Sequence, residues 1–173
     1  MLAAERDRAA VRRLVLVDAV GVTSAWIPEL VPSALPRLDA TERAVLERID
    51  MAALEIPDPR IHSAYARAMY PAWFADRDLA ALFSPPRSTS VTGAAVAARI
   101  RREGYDWRPL LRGLPVPTIV IQGEADLLPV TLAEETAGTI GNARLLLLPG
   151  AGHMPFWEAP EHFFGAVDAF LSE

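Results

Sequence analysis

A chain of 173 residues with 51% hydrophobic and 23% charged side chains has the composition of one globular domain with its own core, which excludes a disordered segment. A formal charge of −5 offers no electrostatic pull towards nucleic acid or an anionic membrane, since both attract basic surfaces. The absence of cysteine excludes disulfides, thiolate metal sites and a cysteine nucleophile, and His62, His153 and His162 are too scattered to predict a metal cluster.

The N-terminal stretch MLAAERDRAAVRR is charged, with no apolar centre or small-residue cleavage site, so it does not read as a signal peptide. No segment approaches the roughly 18 consecutive apolar residues of a spanning helix, and the expectation is a cytoplasmic protein. Alanines 3, 4, 9 and 10 favour the end of a helix over residues 1–13. Leu14–Val17 is an uninterrupted apolar run closed by Asp18, the pattern of a strand buried on both faces in a parallel sheet.

From residue 22 to 115 prolines become dense and apolar runs shorten, and the whole stretch reads as a helical insertion. Asp39 with Glu42 predicts a capping box, followed by Val45, Ile49, Ala52 and Ala53 at helical spacing. Residues 61–83 predict two helical pieces broken or kinked at Pro71. SPPRSTSVTG, residues 84–93, predicts a loop, and residues 94–102 a short helix whose Arg99, Arg101 and Arg102 suit the negative end of its dipole and form a solvated face. Tyr65, Tyr70, Trp73 and Phe74 are either ordinary packing residues or the lining of an apolar pocket.

The last third alternates regularly. Residues 116–121 (VPTIVI) predict a second buried strand, 129–140 a helix ended by Gly141-Asn142, and 144–148 (RLLLL) a third strand. PGAGHM, residues 149–154, is a glycine-rich turn, and residues 160–171 form a final helix with Pro160 in its first turn. Strand–helix alternation with short connections predicts an α/β fold of about three parallel strands.

In such sheets, functional groups gather at the carboxyl ends of the strands. QGEAD places Asp126 just past the second strand, and PGAGH places His153 just past the third. A carboxylate that accepts the imidazole N–H fixes the tautomer and stabilises the imidazolium, making the ring a competent general base for a hydroxyl nucleophile. Gly150 and Gly152 permit the backbone angles that project the imidazole into a cleft. Phe156 and Trp157 pack this loop. Glu124 reads as an exposed turn residue, His162 as a helix-surface histidine and His62 as a helix residue without a visible partner.

QGEADLLP, followed by LLLLPGAGHMPFWEAPEHFFGAVDAFL, resembles the C-terminal end of α/β-hydrolases, especially the proline-iminopeptidase and esterase-like branch. RRLVLVDAVG resembles the strand that follows the nucleophile-bearing helix of that family, and the residues between lie where the family has its helical cap. The resemblance implies a partial α/β-hydrolase fold, with residues 1–21 and 116–173 as the C-terminal part of the core and 22–115 as the cap. Asp126 then matches the triad acid and His153 the triad histidine, while Asp18 holds a position that serves as the acid in some relatives.

The family's nucleophile lies in a G-x-S-x-G turn ahead of the RRLVLVDAVG strand. No such motif occurs in this sequence, nor does the oxyanion-hole loop that would come earlier. Ser24, in VGVTSAW, lacks the strained strand-to-helix turn of a nucleophile. The expectation is a truncated gene product, a fragment or an internal-start reading frame, whose parent hydrolyses a small-molecule ester or amide through an acyl-enzyme without metal or organic cofactor. Alone it lacks the covalent step and the main electrostatic stabilisation. The resemblance leaves the bond open, since ester, amide, N-terminal proline peptide, epoxide and carbon–carbon hydrolysis all occur on this scaffold. The alternative is a non-catalytic interaction module that uses the cap pocket or self-associates through an exposed sheet edge.

Overall fold

Runs such as LVLV and TIVI, apolar at every position, are stable only where both faces are covered. They form the strands β1 (Leu14–Val17) and β2 (Thr118–Gly123), and with β3 (Ala143–Leu148) they build a parallel sheet in the order β1-β2-β3. The computed structural model describes residues 1–84 and 88–173. Every residue of the central strand β2 is buried. Its register pairs Thr118 with Leu14 on one side and with Ala143 on the other.

Ten helices accompany the sheet among the described residues: α1 (Leu2–Arg6) before β1; α2 (Ile27–Ala34), α3 (Ala40–Leu46), α4 (Pro59–Met69), α5 (Arg77–Leu82), α6 (Val91–Glu103) and α7 (Arg108–Leu111) between β1 and β2; α8 (Val130–Thr139) between β2 and β3; and α9 (Pro155–Glu158) and α10 (Pro160–Ser172) after β3. None is long and apolar enough to cross a membrane. The two sheet faces follow from the period of two along each strand. Leu14, Leu16, Val120, Ala143 and Leu145 pack with Ala4, Leu111, Leu114 and Ala133 on one face. Val15, Val17, Ile119, Ile121, Leu146 and Leu148 pack with Phe163 and Phe170 of α10 on the other. A third cluster joins α2, α3 and α4 to Leu127, Leu128 and Leu132, so the helical stretch is seated on the loop that follows β2.

The capping box is present: Glu42 N–H donates to Asp39 Oδ1 at 2.9 Å, and Asp39 N–H to Glu42 Oε2 at 2.8 Å. The break near Pro71 also occurs, as a 3-10 turn over Tyr70–Trp73 between α4 and α5. Four expectations require correction. The first helix ends at Arg6, because the Asp7 carboxylate draws the Ala10 N–H into a turn and the chain leaves the helix there. The helical run expected through Ala53 stops after Leu46, and Asp50 caps a separate 3-10 turn over Met51–Glu55. The second strand starts two residues later than its apolar pattern and runs through Gln122 and Gly123, which pair with Leu147 and Leu148. Of the expected loop, Val91–Gly93 belong to α6, where Ser90 accepts the Gly93 N–H at 2.9 Å; residues 85–87 lie outside the described residues.

Gly123 ends β2 directly beneath the turn after β3, and a Cβ there would run into the carbonyl oxygens of Ala151 and Gly152. Backbone cannot retreat as a side chain can. Gly123→Ala is therefore expected to lower the urea-unfolding free energy by about 2 kcal/mol or more. Gly141→Ala, whose Cβ meets nothing within 4 Å, should stay within about 0.5 kcal/mol of the parent chain.

Candidate active site

Parallel pairing of β2 with β3 brings their carboxyl ends side by side, and the turns beyond them are stitched together. Glu124 N–H donates to Leu148 O at 3.0 Å and Ala125 N–H to Ala151 O at 2.9 Å. In this frame Asp126 and His153 meet. His153 Nδ1–H donates to Asp126 Oδ2 at 2.9 Å, with Oδ1 at 3.2 Å. The Asp126 residue is 5% exposed, and its Oδ1 also accepts the Leu128 N–H at 3.1 Å. A buried carboxylate holding Nδ1–H leaves Nε2 as the basic nitrogen of the ring. Among the described residues no hydroxyl is hydrogen-bonded to that ring. Ser24 lies elsewhere, its Oγ accepting the Tyr105 N–H at 3.0 Å.

The loop that carries His153 uses its two glycines differently. Gly150 has φ +73°, the left-handed region that glycine tolerates. Gly152 instead permits close approach: a Cβ would sit 2.8 Å from both Trp73 O and Glu158 Oε2. The expectation that both glycines supply unusual angles is thus corrected for Gly152.

Three residues hold the two turns: Trp73, which the sequence offers as a packing or pocket-lining residue, and Glu158 and Arg37, which it does not single out. Trp73 accepts the His153 N–H on its carbonyl at 2.8 Å, and its indole lies over the imidazole with ring centroids 4.3 Å apart. Glu158 is a staple. Its Oε2 accepts the N–H groups of Gly152 (2.8 Å) and Met154 (3.3 Å), and its Oε1 those of Ala75 (2.7 Å) and Asp76 (3.2 Å). One carboxylate thereby ties the histidine loop to the turn before α5. Arg37 secures the acid's side, donating to the carbonyls of Ala125 and Asp126 at 2.7 Å each. No local pattern announces these roles, because the partners lie 83 and 88 residues apart in the chain.

The other singled-out residues are placed as follows. Phe83 stacks on Trp157 at 3.9 Å, and Phe156 meets Phe163 edge-on, so both loop aromatics pack. Tyr65 is buried in the helical cluster, while Tyr70 and Phe74 form a smaller one. Arg101 is not solvated as expected but lies over the Tyr65 ring at 4.9 Å, whereas Arg99 and Arg102 pair with Glu103 at the surface. His62 does have a partner, Ile56 O at 3.0 Å. His162 and Glu124 are exposed.

Asp18 closes the group. One of its carboxyl oxygens, one of Asp126 and one ring nitrogen of His153 lie within 4.8 Å of one another. These are cation-ligand atom types, but Asp18 Oδ1 already accepts the Gly123 N–H at 3.0 Å, and both Asp126 oxygens are engaged. His153 and Asp126 are hydrogen-bonded to each other, and Asp18 lies beside them with Oδ1 held by the Gly123 N–H. Burial first, and the Asp126 charge in addition, push the Asp18 carboxyl up to about 7, against the lowering effects of the Gly123 N–H and His153.

The sequence model of the Alpha/beta hydrolase family matches residues 1–167. The chain belongs to that family. Its fold is shared with an alpha/beta fold family hydrolase from Bacillus anthracis (TM-score 0.65, 18% identity, covering 98% of this chain and 62% of that one) and with a proline iminopeptidase from Mycobacterium smegmatis (TM-score 0.60, 18% identity, 98% and 59%). Over 94 residues it is 32% identical to a 2-hydroxy-6-oxo-6-(2'-aminophenyl)hexa-2,4-dienoic acid hydrolase of Metapseudomonas resinovorans, covering 52% of this chain and 32% of that protein. The chain spans about one third of that curated relative and about 60% of the solved hydrolases.

The Glu158 staple predicts a specific loss. In Glu158→Ala, amide hydrogen exchange should rise at Gly152, Met154, Ala75 and Asp76 together, by about tenfold or more, while the amides of β2 stay protected. Unchanged exchange at either pair of amides would contradict the staple.

Proposed function

We propose that this chain supplies the acid, Asp126, and the proton-shuttling base, His153, of a serine-hydrolase-type triad, with residues 22–115 acting as the cap and the nucleophile lying outside these 173 residues. The carrying observation is the 2.9 Å hydrogen bond from His153 Nδ1 to a buried Asp126 at the ends of paired strands. That arrangement orients Nε2 to take the proton of an attacking hydroxyl and return it to a leaving group. The substrate class is a small-molecule ester or amide cleaved through an acyl-enzyme, and the setting is the cytoplasm. The M. smegmatis neighbour, a proline iminopeptidase, is consistent with hydrolysis at an acyl carbon. The M. resinovorans relative acts on a dienoic acid, so its resemblance supports the hydrolytic class without selecting the bond.

Because no G-x-S-x-G segment is present in the sequence, the reading separates into two measurable halves. With a p-nitrophenyl ester, this chain and its His153→Ala variant should turn over at equal rates, and His153-dependent hydrolysis would contradict an external nucleophile. In a chain that joins a G-x-S-x-G segment to these residues, His153→Ala should lower kcat by about 10³-fold or more. A loss of less than about tenfold there would refute the assignment of His153.

A further inference from the structure

Two buried carboxyl groups beside one imidazole pose an electrostatic problem. Asp18 is 6% exposed and Asp126 5%, and a carboxyl oxygen of one lies within 4.8 Å of a carboxyl oxygen of the other. Two ionised carboxylates at that distance in a low-dielectric site repel strongly, and such pairs commonly keep one proton between them. The hydrogen bonds indicate which group keeps it. Asp126 accepts from two donors, His153 Nδ1–H and Leu128 N–H. Asp18 has one donor, Gly123 N–H, on Oδ1, while its Oδ2 is wholly buried and has no hydrogen-bond partner. A buried oxygen with no donor facing it is costly as an acceptor, and the cost disappears if that oxygen carries the hydrogen itself.

We infer that Asp18 is a positioning residue: it is held as a neutral carboxylic acid whose Oδ2–H donates to Asp126, extending the His153–Asp126 pair into a three-membered chain. Its backbone supports a fixed placement. Asp18 is the non-glycine residue with positive φ among the described residues, at 39°, a conformation that aims the side chain from the end of β1 across to β2. The charged groups acting on Asp18 are Asp126 and His153. Arg37, the cation on the neighbouring helical stretch, donates to the backbone carbonyls of Ala125 and Asp126.

The shared proton gives Asp126 a third hydrogen bond and fixes its carboxylate opposite the imidazole. As pH rises through about 7, Asp18 ionises, the donor is lost and a second negative charge appears beside the pair. In the unfolded chain an aspartate releases its proton near 4, so the folded state binds the extra proton between these limits. The stabilisation it provides is complete below about 4 and is lost as pH rises through about 7.

The catalytic meaning of this arrangement rests on the triad reading above, but its test does not use turnover, so either can fail without the other. Carboxyl ¹³C NMR of the aspartate-labelled chain should show one aspartate titrating near 7, absent in Asp18→Asn. In Asp126→Asn that midpoint should fall by about one unit or more, because the like charge is gone. An unchanged midpoint would mean that burial alone holds the proton and would overturn the sharing, as would the lack of any aspartate titrating above about 5. Positioning is read from the hydrogen-bonded His153 Nδ1–H proton resonance. The part of its pH response that follows the Asp18 midpoint should vanish in Asp18→Asn, which keeps a permanent donor, while Asp18→Val, which has none, should broaden or shift the resonance at all pH values. Identical pH responses in the parent chain and Asp18→Asn, or an unperturbed resonance in Asp18→Val, would overturn the positioning role.

Discussion

The site depends on the parallel pairing of β2 with β3. Six registered pairs, from Thr118–Ala143 to Gly123–Leu148, bring two strand ends to one level, and the turns beyond them then exchange backbone hydrogen bonds. Only in that frame does the Asp126 carboxylate reach His153 Nδ1. Gly123 is the tightest point of the frame, since the carbonyls of Ala151 and Gly152 lie where any side chain would go. The apolar faces of the strands hold the sheet, and their ends are thereby free to carry polar groups at little further cost.

The helical stretch between β1 and β2 is fastened to this frame at several points with different chemistry. Leu127, Leu128 and Leu132 bury against α2–α4. Arg37 holds the carbonyls beside the acid, and Glu158 gathers amides from both the histidine loop and the turn before α5. The Trp73 carbonyl and indole complete the wall against His153. The orientation of the imidazole is therefore shared between the sheet and the helical stretch, so a movement of one relative to the other would be felt at the ring.

Much of this is legible in the sequence. Uninterrupted apolar runs marked the three strands, and polar residues at the ends of two of them marked Asp126 and His153. The second strand was misplaced by two residues because Gln122 and Gly123 look like a turn, whereas their pairing with Leu147 and Leu148 keeps them in the sheet. Glu158 and Arg37 were illegible because their roles join segments far apart in sequence. Gly152 serves close approach rather than an unusual backbone angle, and the approach of Trp73 and Glu158 is a tertiary fact. Asp18 stood out as a polar residue ending an apolar strand, but its shared proton follows only from burial beside Asp126.

The central claim is that the imidazole is held with Nδ1 protonated towards Asp126 and Nε2 left as the base. Neutron diffraction from deuterium-exchanged crystals grown between about pH 6 and pH 7 tests it most directly, because it locates hydrogen positions that other diffraction data leave to inference. Deuterium on His153 Nδ1, on the line to Asp126, is the predicted result. A bare Nδ1 with deuterium on Nε2 alone, or an imidazole turned away from Asp126, would contradict it.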